Sequence, residues 1–250
     1  MTYPSSLDSF TAKIDAVNDV MAEDINGVQN AILGIENTLG LKIQGGWLPA
    51  QVTWTRISDT SFSAPGDLTE FYGMGTKFRC VVGGVVRQGY FISAAYVAPN
   101  TIVTTVGDLL TGAISEPYFS TQSSPGGFKH WFNWVPVYSG SGSMTFTAVT
   151  TTYARFKIEG RMVTYVVRAS GTTGGTAGTT ILLTVPVVGI NIGATTMSVA
   201  TFVDTGVGIA RGYIDPASGL IGTVKQAAGI DGNWGLGTAR QIINSGFYEG

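Results

Sequence analysis

The sequence predicts a mainly β protein carried on an N-terminal helical stem, and three observations lead there. Thirty-five glycines, frequent Thr and Val, and 11% aromatic residues are the usage of short strands joined by tight turns. Up to Gly40 the apolar residues recur at spacings of three and four, the period of a helix. From Trp47 the period becomes two, the alternation of a half-buried strand.

Residues 1–46 are expected to form the stem. Pro4 halts any helix upstream, and Ser5 with Asp8 fits the S-x-x-D form of a capping box. Apolar residues then fall at Leu7, Phe10, Ile14, Val17, Met21, Ile25, Val28, Ile32, Ile35 and Leu39. The steps are 3, 4, 3, 4, 4, 3, 4, 3 and 4, a heptad pattern with one extra four-residue step from Met21 to Ile25, which is the signature of a stutter. Asn26 and Gly27 follow it directly, so the stem reads either as one kinked helix or as two shorter ones. Drawn unbroken from Ser5 to Leu39 it would be roughly 50 Å long at 1.5 Å per residue, stopping at Gly40. Its stripe is narrow, and the remaining positions are nearly all polar: Lys13, Asp15, Asn18, Asp19, Glu23, Gln29, Asn30, Glu36 and Asn37. Packing on a sheet takes a wider stripe. Ile and Val at consecutive seam positions (Ile25, Val28, Ile32, Ile35) lean toward three strands, so a parallel homotrimer is favoured over packing within one chain.

Residues 47–120 read as a small β module. In "KFRCVVGGVVRQGYFISAAYV" Phe78, Cys80 and Val82 point one way and Lys77, Arg79 and Val81 the other, with Gly83-Gly84 as a two-residue hairpin turn. "APNTIVTTV" supplies a Pro99-Asn100 turn and a further strand. Residues 121–127, within the Ser/Pro/Gly-rich "STQSSPGG", are the expected linker. Residues 128–250 read as a β-sandwich or jelly-roll-like domain, built from many short strands. In its stretch "YARFKIEGRMVTYVVRA", Ala154, Phe156 and Ile158 alternate with Arg155, Lys157 and Glu159 before Gly160 turns the chain.

Charge and cysteine content exclude several classes of chemistry. The net charge is -2, divided into about -5 up to Gly40 and +3 beyond it. No Lys/Arg run offers the basic stripe that nucleic acid requires, whereas an acidic stem suits a basic docking socket. One cysteine, Cys80, allows no intramolecular disulfide, and with one histidine, His130, the chain lacks the ligands of most zinc sites; no cofactor is expected. Three copies of one residue on a trimer axis remain a route to a metal that counting within one chain does not reach. The N-terminus has neither a basic nor an apolar region of the kind a signal peptide needs. The longest apolar run, "ILLTVPVVGINIG", is interrupted by Pro186 and Gly189 and reads as strand, not as a membrane span.

Residues able to do chemistry are scarce. A Ser-His or Cys-His pair would have to use His130, and Cys80 inside an alternating strand reads as a small buried apolar residue. Asp204, Asp215 and Asp231 are the carboxylates from which a glycan hydrolase would have to draw its pair. "GTTGGTAGTT" lacks the Gly-Lys-Ser/Thr of a phosphate loop, and "GLGTAR" has Arg240 where a dinucleotide fingerprint wants its third small residue; both read as β-turns. The best binding candidate is the aromatic cluster Trp131, Trp134 and Tyr138 beside Phe132, since flat rings stack on sugars and anchor interfaces. Alternation sets Trp131, Asn133 and Val135 against Phe132, Trp134 and Pro136, one face for a core or domain interface and the other for a ligand.

The stem "YPSSLDSFTAKIDAVNDVMAEDINGVQNAILGIENTLG" resembles the N-terminal segment of tailed-bacteriophage virion proteins, notably short tail fibres. "GDLTEFYGMGTKFRCVVGG" and the "GYFISAAYVAPNTIVTTVGDLLTGAISEPYFS" that follows look like the small β module often placed after it. "YARFKIEGRMVTYVVRASGTTGGTAGTTILLTVPV" and the final "SGFYEG" are similar to the fibre-tip sandwich of the same proteins. The resemblance implies a trimeric, non-enzymatic virion component without a cofactor, made in the host cytoplasm and joined to tail, baseplate or capsid proteins. Its distal domains would meet a host-surface glycan or protein. A capsid-bound head fibre or decoration protein is the alternative, and a fibre-borne glycan hydrolase a further one.

Overall fold

The computed structural model describes residues 22–36, 44–187, 196–203, 207–215, 219–227 and 230–249. It is mainly β, with two antiparallel sheets and one helix among the described residues. The helix α1, Ala22–Glu36, runs unbroken through Gly27. Of the stem's seam, Leu7, Phe10, Ile14, Val17, Met21 and Leu39 lie outside the described residues, as do the Ser5–Asp8 capping box and the Gly40 stop. Within α1, Val28 and Ile35 are 60% and 57% exposed, Ile25 is exposed, and Ile32 is half-buried.

The first sheet is built from β1 (Leu48–Pro49), β2 (Thr55–Ser58), β3 (Ser61–Pro65), β4 (Lys77–Val82), β5 (Val85–Val97), β6 (Asn100–Gly107) and β7 (Ile114–Ser120), in the order β1-β7-β4-β5-β6-β3-β2. Gly83 and Gly84 both take positive φ, 58° and 78°, the geometry of the tight hairpin that pairs Val82 with Val85. The next hairpin turns at Ala98-Pro99, with Val97 paired to Asn100, one residue before the turn expected from the sequence. Phe78, Cys80 and Val82 are buried as alternation requires, in a core with Trp54, Phe62, Tyr72 and Phe91. Lys77, expected on the opposite face, is only 4% exposed. Strand parity assigns a side chain to a face, but that face is covered here by the rest of the chain.

The second sheet comprises β8 (Phe132–Asn133), β9 (Tyr138–Gly140), β10 (Met144–Glu159), β11 (Met162–Gly175), β12 (Thr180–Thr184), β13 (Thr196–Val203), β14 (Val207–Asp215), β15 (Leu220–Ala227), β16 (Ile230–Asp231) and β17 (Gly237–Glu249). Its path is β8-β10-β11-β17-β13-β14-β15-β12-β9, with β16 beside β15. The expectation of a two-sheet sandwich is corrected: one continuous sheet curls into a half-barrel around its own inner face. The long strands β10 and β11, 16 and 14 residues, accumulate twist, and bulges bend them further. Such register shifts occur in β10 between Thr147 and Thr150 and between Thr151 and Tyr153; a third, opposite Gly171 and Thr173 of β11, has its extra residue in β17 between Gly237 and Arg240, where Ala239 takes a positive φ. Ala154, Phe156 and Ile158 line the inside, and Gly160 turns the chain with φ 59°. Across the interior, Tyr165 Oη donates to Asn244 Oδ1 at 3.0 Å, and Asn244 Nδ2 donates to Thr223 Oγ1 at 3.0 Å and to the Gly222 carbonyl at 3.2 Å. This network joins β11, β17 and β15, and its members satisfy one another in a dry interior.

The two sheets share a core. Trp47 and Tyr90, from the first, pack with Phe128 and Phe132 and through them with Phe156 of the second. The intervening segment is tied to the first sheet. Gln88 donates from Nε2 to the Gly127 carbonyl and accepts from the Lys129 amide, at 2.9 and 2.8 Å. Trp47 Nε1 donates to Gly126 O, and Tyr90 Oη donates to His130 O.

Candidate functional site

Two of the three rings singled out from the sequence, Trp131 and Trp134, line one groove beside β10. β8 is two residues long and pairs with β10 only at Asn133–Arg155 and Phe132–Phe156, continued by one bond from the Trp134 amide to the Ala154 carbonyl. The β10 edge before Ala154 is therefore left to side chains. An open groove of about 540 Å³ runs there, lined by Trp131, Asn133, Trp134, Thr151, Thr152, Tyr153, Ala154 and Arg155. The bulge between Thr151 and Tyr153 lies in this wall and locally alters which side chains face outward.

Trp131 is 40% exposed, with Lys157 Nζ 5.8 Å from its ring centre. Trp134 is half-buried; its ring meets Phe156 and Tyr165 edge-on at 6.5 and 6.4 Å. Its Nε1 is buried with no hydrogen-bond partner among the described residues. Tyr138 does not line the groove. Its hydroxyl bonds Thr151 Oγ1 at 2.9 Å and its ring packs on Phe146, so it braces the wall from behind. Burial raises the Tyr138 phenol above its ordinary value, partly offset by that bond. The sequence reading missed Tyr153 and Arg155, whose guanidinium lies 5.9 Å from the Tyr153 ring. They stand some twenty positions away, and only the pairing register brings them to Trp131; the Thr-Thr-Thr-Tyr run was the one visible hint. An exposed indole, a phenol ring, Thr hydroxyls, Asn and Arg are groups that bind hydroxylated ligands by stacking and hydrogen bonding.

Of the residues weighed for catalysis, His130, Cys80 and Asp231 are described with their side chains. His130 Nε2 lies 3.1 Å from Ser124 Oγ, but among the described residues no carboxylate is hydrogen-bonded to the ring, so the orienting member of a triad is not present there. Asp204 lies outside the described residues, and so does the side chain of Asp215, at the end of β14. Asp231 pairs with Arg211 at 2.8 Å and accepts from Gln226 at 3.0 Å. Cys80 is buried, and loss of solvation pushes its thiol up to about 12. "GTTGGTAGTT" is largely strand, its first five residues ending β11, and "GLGTAR" leads into β17. Among the described residues no cluster of His, Cys, Asp and Glu could hold a metal ion, and no helix is long and apolar enough to cross a membrane. Comparison with protein-family models, curated proteins and solved structures gave no match.

Proposed function

We propose that this protein is a non-enzymatic bacteriophage virion component, a trimeric fibre or spike. Its N-terminal stem assembles three copies and attaches them to the particle, and its second β domain carries a groove for host-surface saccharide. The observation that carries the assembly part is the exposed apolar seam: Val28 and Ile35 stand more than half open on α1, at heptad spacing on a helix where Leu33 is the one large apolar residue outside the seam. Such a stripe gains most by facing its own copies. The groove at Trp131 supplies the binding surface, and the phage context comes from the resemblance of the stem and β segments to tail-fibre modules.

The test is the mass in solution, by light scattering, of the full chain and of a chain beginning at Trp47. The reading expects three copies for the first and one for the second. A monomeric full chain refutes stem-driven assembly and favours a decoration protein whose helix seats on another virion protein. Imaging labelled protein on particles then separates tail from head.

A further inference from the structure

We propose that the cleft between the two sheets, floored by Lys77, is a carboxylate subsite that holds the acidic group of a sugar bound along β10. The cleft, about 310 Å³, is lined by Met74, Gly75, Thr76, Lys77, Thr121, Ser123, Glu159 and Gly160. Its walls come from both sheets and close at a tight backbone approach: a Cβ on Gly75, which has φ 83°, would sit 2.2 Å from the Gly160 carbonyl oxygen. Only glycine fits there, so the cleft has a fixed floor.

Lys77 is the unusual group in it. Lysine is almost never fully buried unless paired, yet Lys77 is 4% exposed and forms no ion pair among the described residues. Its Nζ has one long bond, 3.4 Å to the Gly75 carbonyl, and the Tyr90 ring at 5.8 Å. Two ammonium protons are left for another acceptor. Burial lowers its pKa, and the field of Glu159 works against that shift. Glu159 is already engaged by Lys157 at 2.8 Å, and its own carboxyl is held below the usual range by Lys157 first, with smaller contributions from His130 and Lys77. Lys77 feels the charge of Glu159 but makes no direct ion pair with it, so its ammonium keeps donors for a second anion. Thr121 and Ser123 add hydroxyls. A carboxylate is the acceptor suited to an ammonium flanked by hydroxyls, and charge-assisted bonds of that kind are the strong ones.

The cleft also continues the groove. Lys157 stands over Trp131 on one side and bonds Glu159 on the other, and Tyr153 to Glu159 spans about 20 Å along the strand at 3.3 Å per residue. A short oligosaccharide stacked on Trp131 reaches the cleft with a uronic-type carboxylate. The sugar part of this inference rests on the saccharide reading of the groove; the carboxylate part does not.

The experiment uses the full chain, titrated with glucuronate and with glucose while the lysine Cε–H signals are followed by NMR. Lys77 is assigned by its loss in Lys77→Met. Glucuronate is expected to shift the Lys77 signal saturably and glucose to leave it unmoved. Lys77→Met, which removes an unpaired buried charge and keeps the fold, should weaken a glucuronate-containing oligosaccharide about ten-fold or more and leave its neutral analogue unchanged. The double variant Thr121→Val/Ser123→Ala, which retains the lysine, should weaken it about five-fold for each hydroxyl that bonds the ligand. An unmoved Lys77 signal, or the same shift from equal chloride, overturns the carboxylate subsite. Trp131→Ala separates the two readings: if it leaves oligosaccharide binding intact while Lys77 still responds to glucuronate, the groove reading fails and the subsite stands.

Discussion

Replacing Val28 and Ile35 together by serine tests the assembled stem most directly. Serine has nearly the helix propensity of valine and isoleucine, so the substitution changes the seam and leaves the helix. Full burial of a Val or Ile side chain is worth about 1.5–3 kcal/mol, and here 60% and 57% of each residue is still open on the single chain. Closing that remainder in a trimer contributes about 1.3 kcal/mol per side chain, or about 8 kcal/mol over two positions in three chains. A loss of that size raises the trimer dissociation constant by about five to six orders of magnitude. Because that constant depends on the square of chain concentration, the midpoint moves by a few hundred-fold to a thousand-fold. Sedimentation equilibrium from nanomolar to micromolar chain would read the shift, with far-UV circular dichroism confirming the β domains. Asn30→Ser, on the polar side, is the control and should not move the midpoint. A double variant that keeps the wild-type mass across the range refutes the seam as the assembling surface.

Three further outcomes follow from the fold. Phe156, fully buried between Phe132 and Trp134, should cost about 3–5 kcal/mol as Phe156→Ala, read as a lower urea midpoint with an unchanged slope. Asn244→Leu removes the bonds to the Tyr165 hydroxyl and to the Thr223 and Gly222 oxygens inside the half-barrel. The loss should be about 1–3 kcal/mol for each group left unpaired, whereas Asn244→Leu combined with Tyr165→Phe should recover part of it. Alkaline pH should weaken the protein, because burial raises the phenols of Tyr248 and Tyr90, the latter up to about 12, and the Cys80 thiol also to about 12. Their folded values lie above the unfolded ones, so the contribution is intact below the unfolded values and is lost as pH climbs toward the folded ones. Urea midpoints should fall from pH 9 to pH 11.

The strand cores were legible because alternation is a local property: Phe78, Cys80 and Val82, and Ala154, Phe156 and Ile158, are buried as their spacing implies. So was the Gly83-Gly84 turn, since two successive positive φ angles call for glycine. The burial of Lys77 was not legible because its cover comes from Tyr90 and the Gly160 turn, neither of which strand parity contains. The curl of the second sheet was hidden for a related reason. A bulge such as that between Thr151 and Tyr153 leaves no fixed residue signature, yet it decides whether long strands stack as two sheets or bend as one. Trp131 and Trp134 announced themselves by type and proximity, while Tyr153 and Arg155 depended on a pairing register that becomes fixed only when the core forms.

The shared core at Trp47 also sets how the molecule would bear tension. Trp47 lies close after the stem, and its indole is bound to Gly126 and packed on Phe128 where the two sheets meet. A pull applied through the stem therefore enters at the seam between the sheets and loads both together, instead of peeling the first away before the second feels it. The two sheets should therefore give way in one event and not in two successive ones.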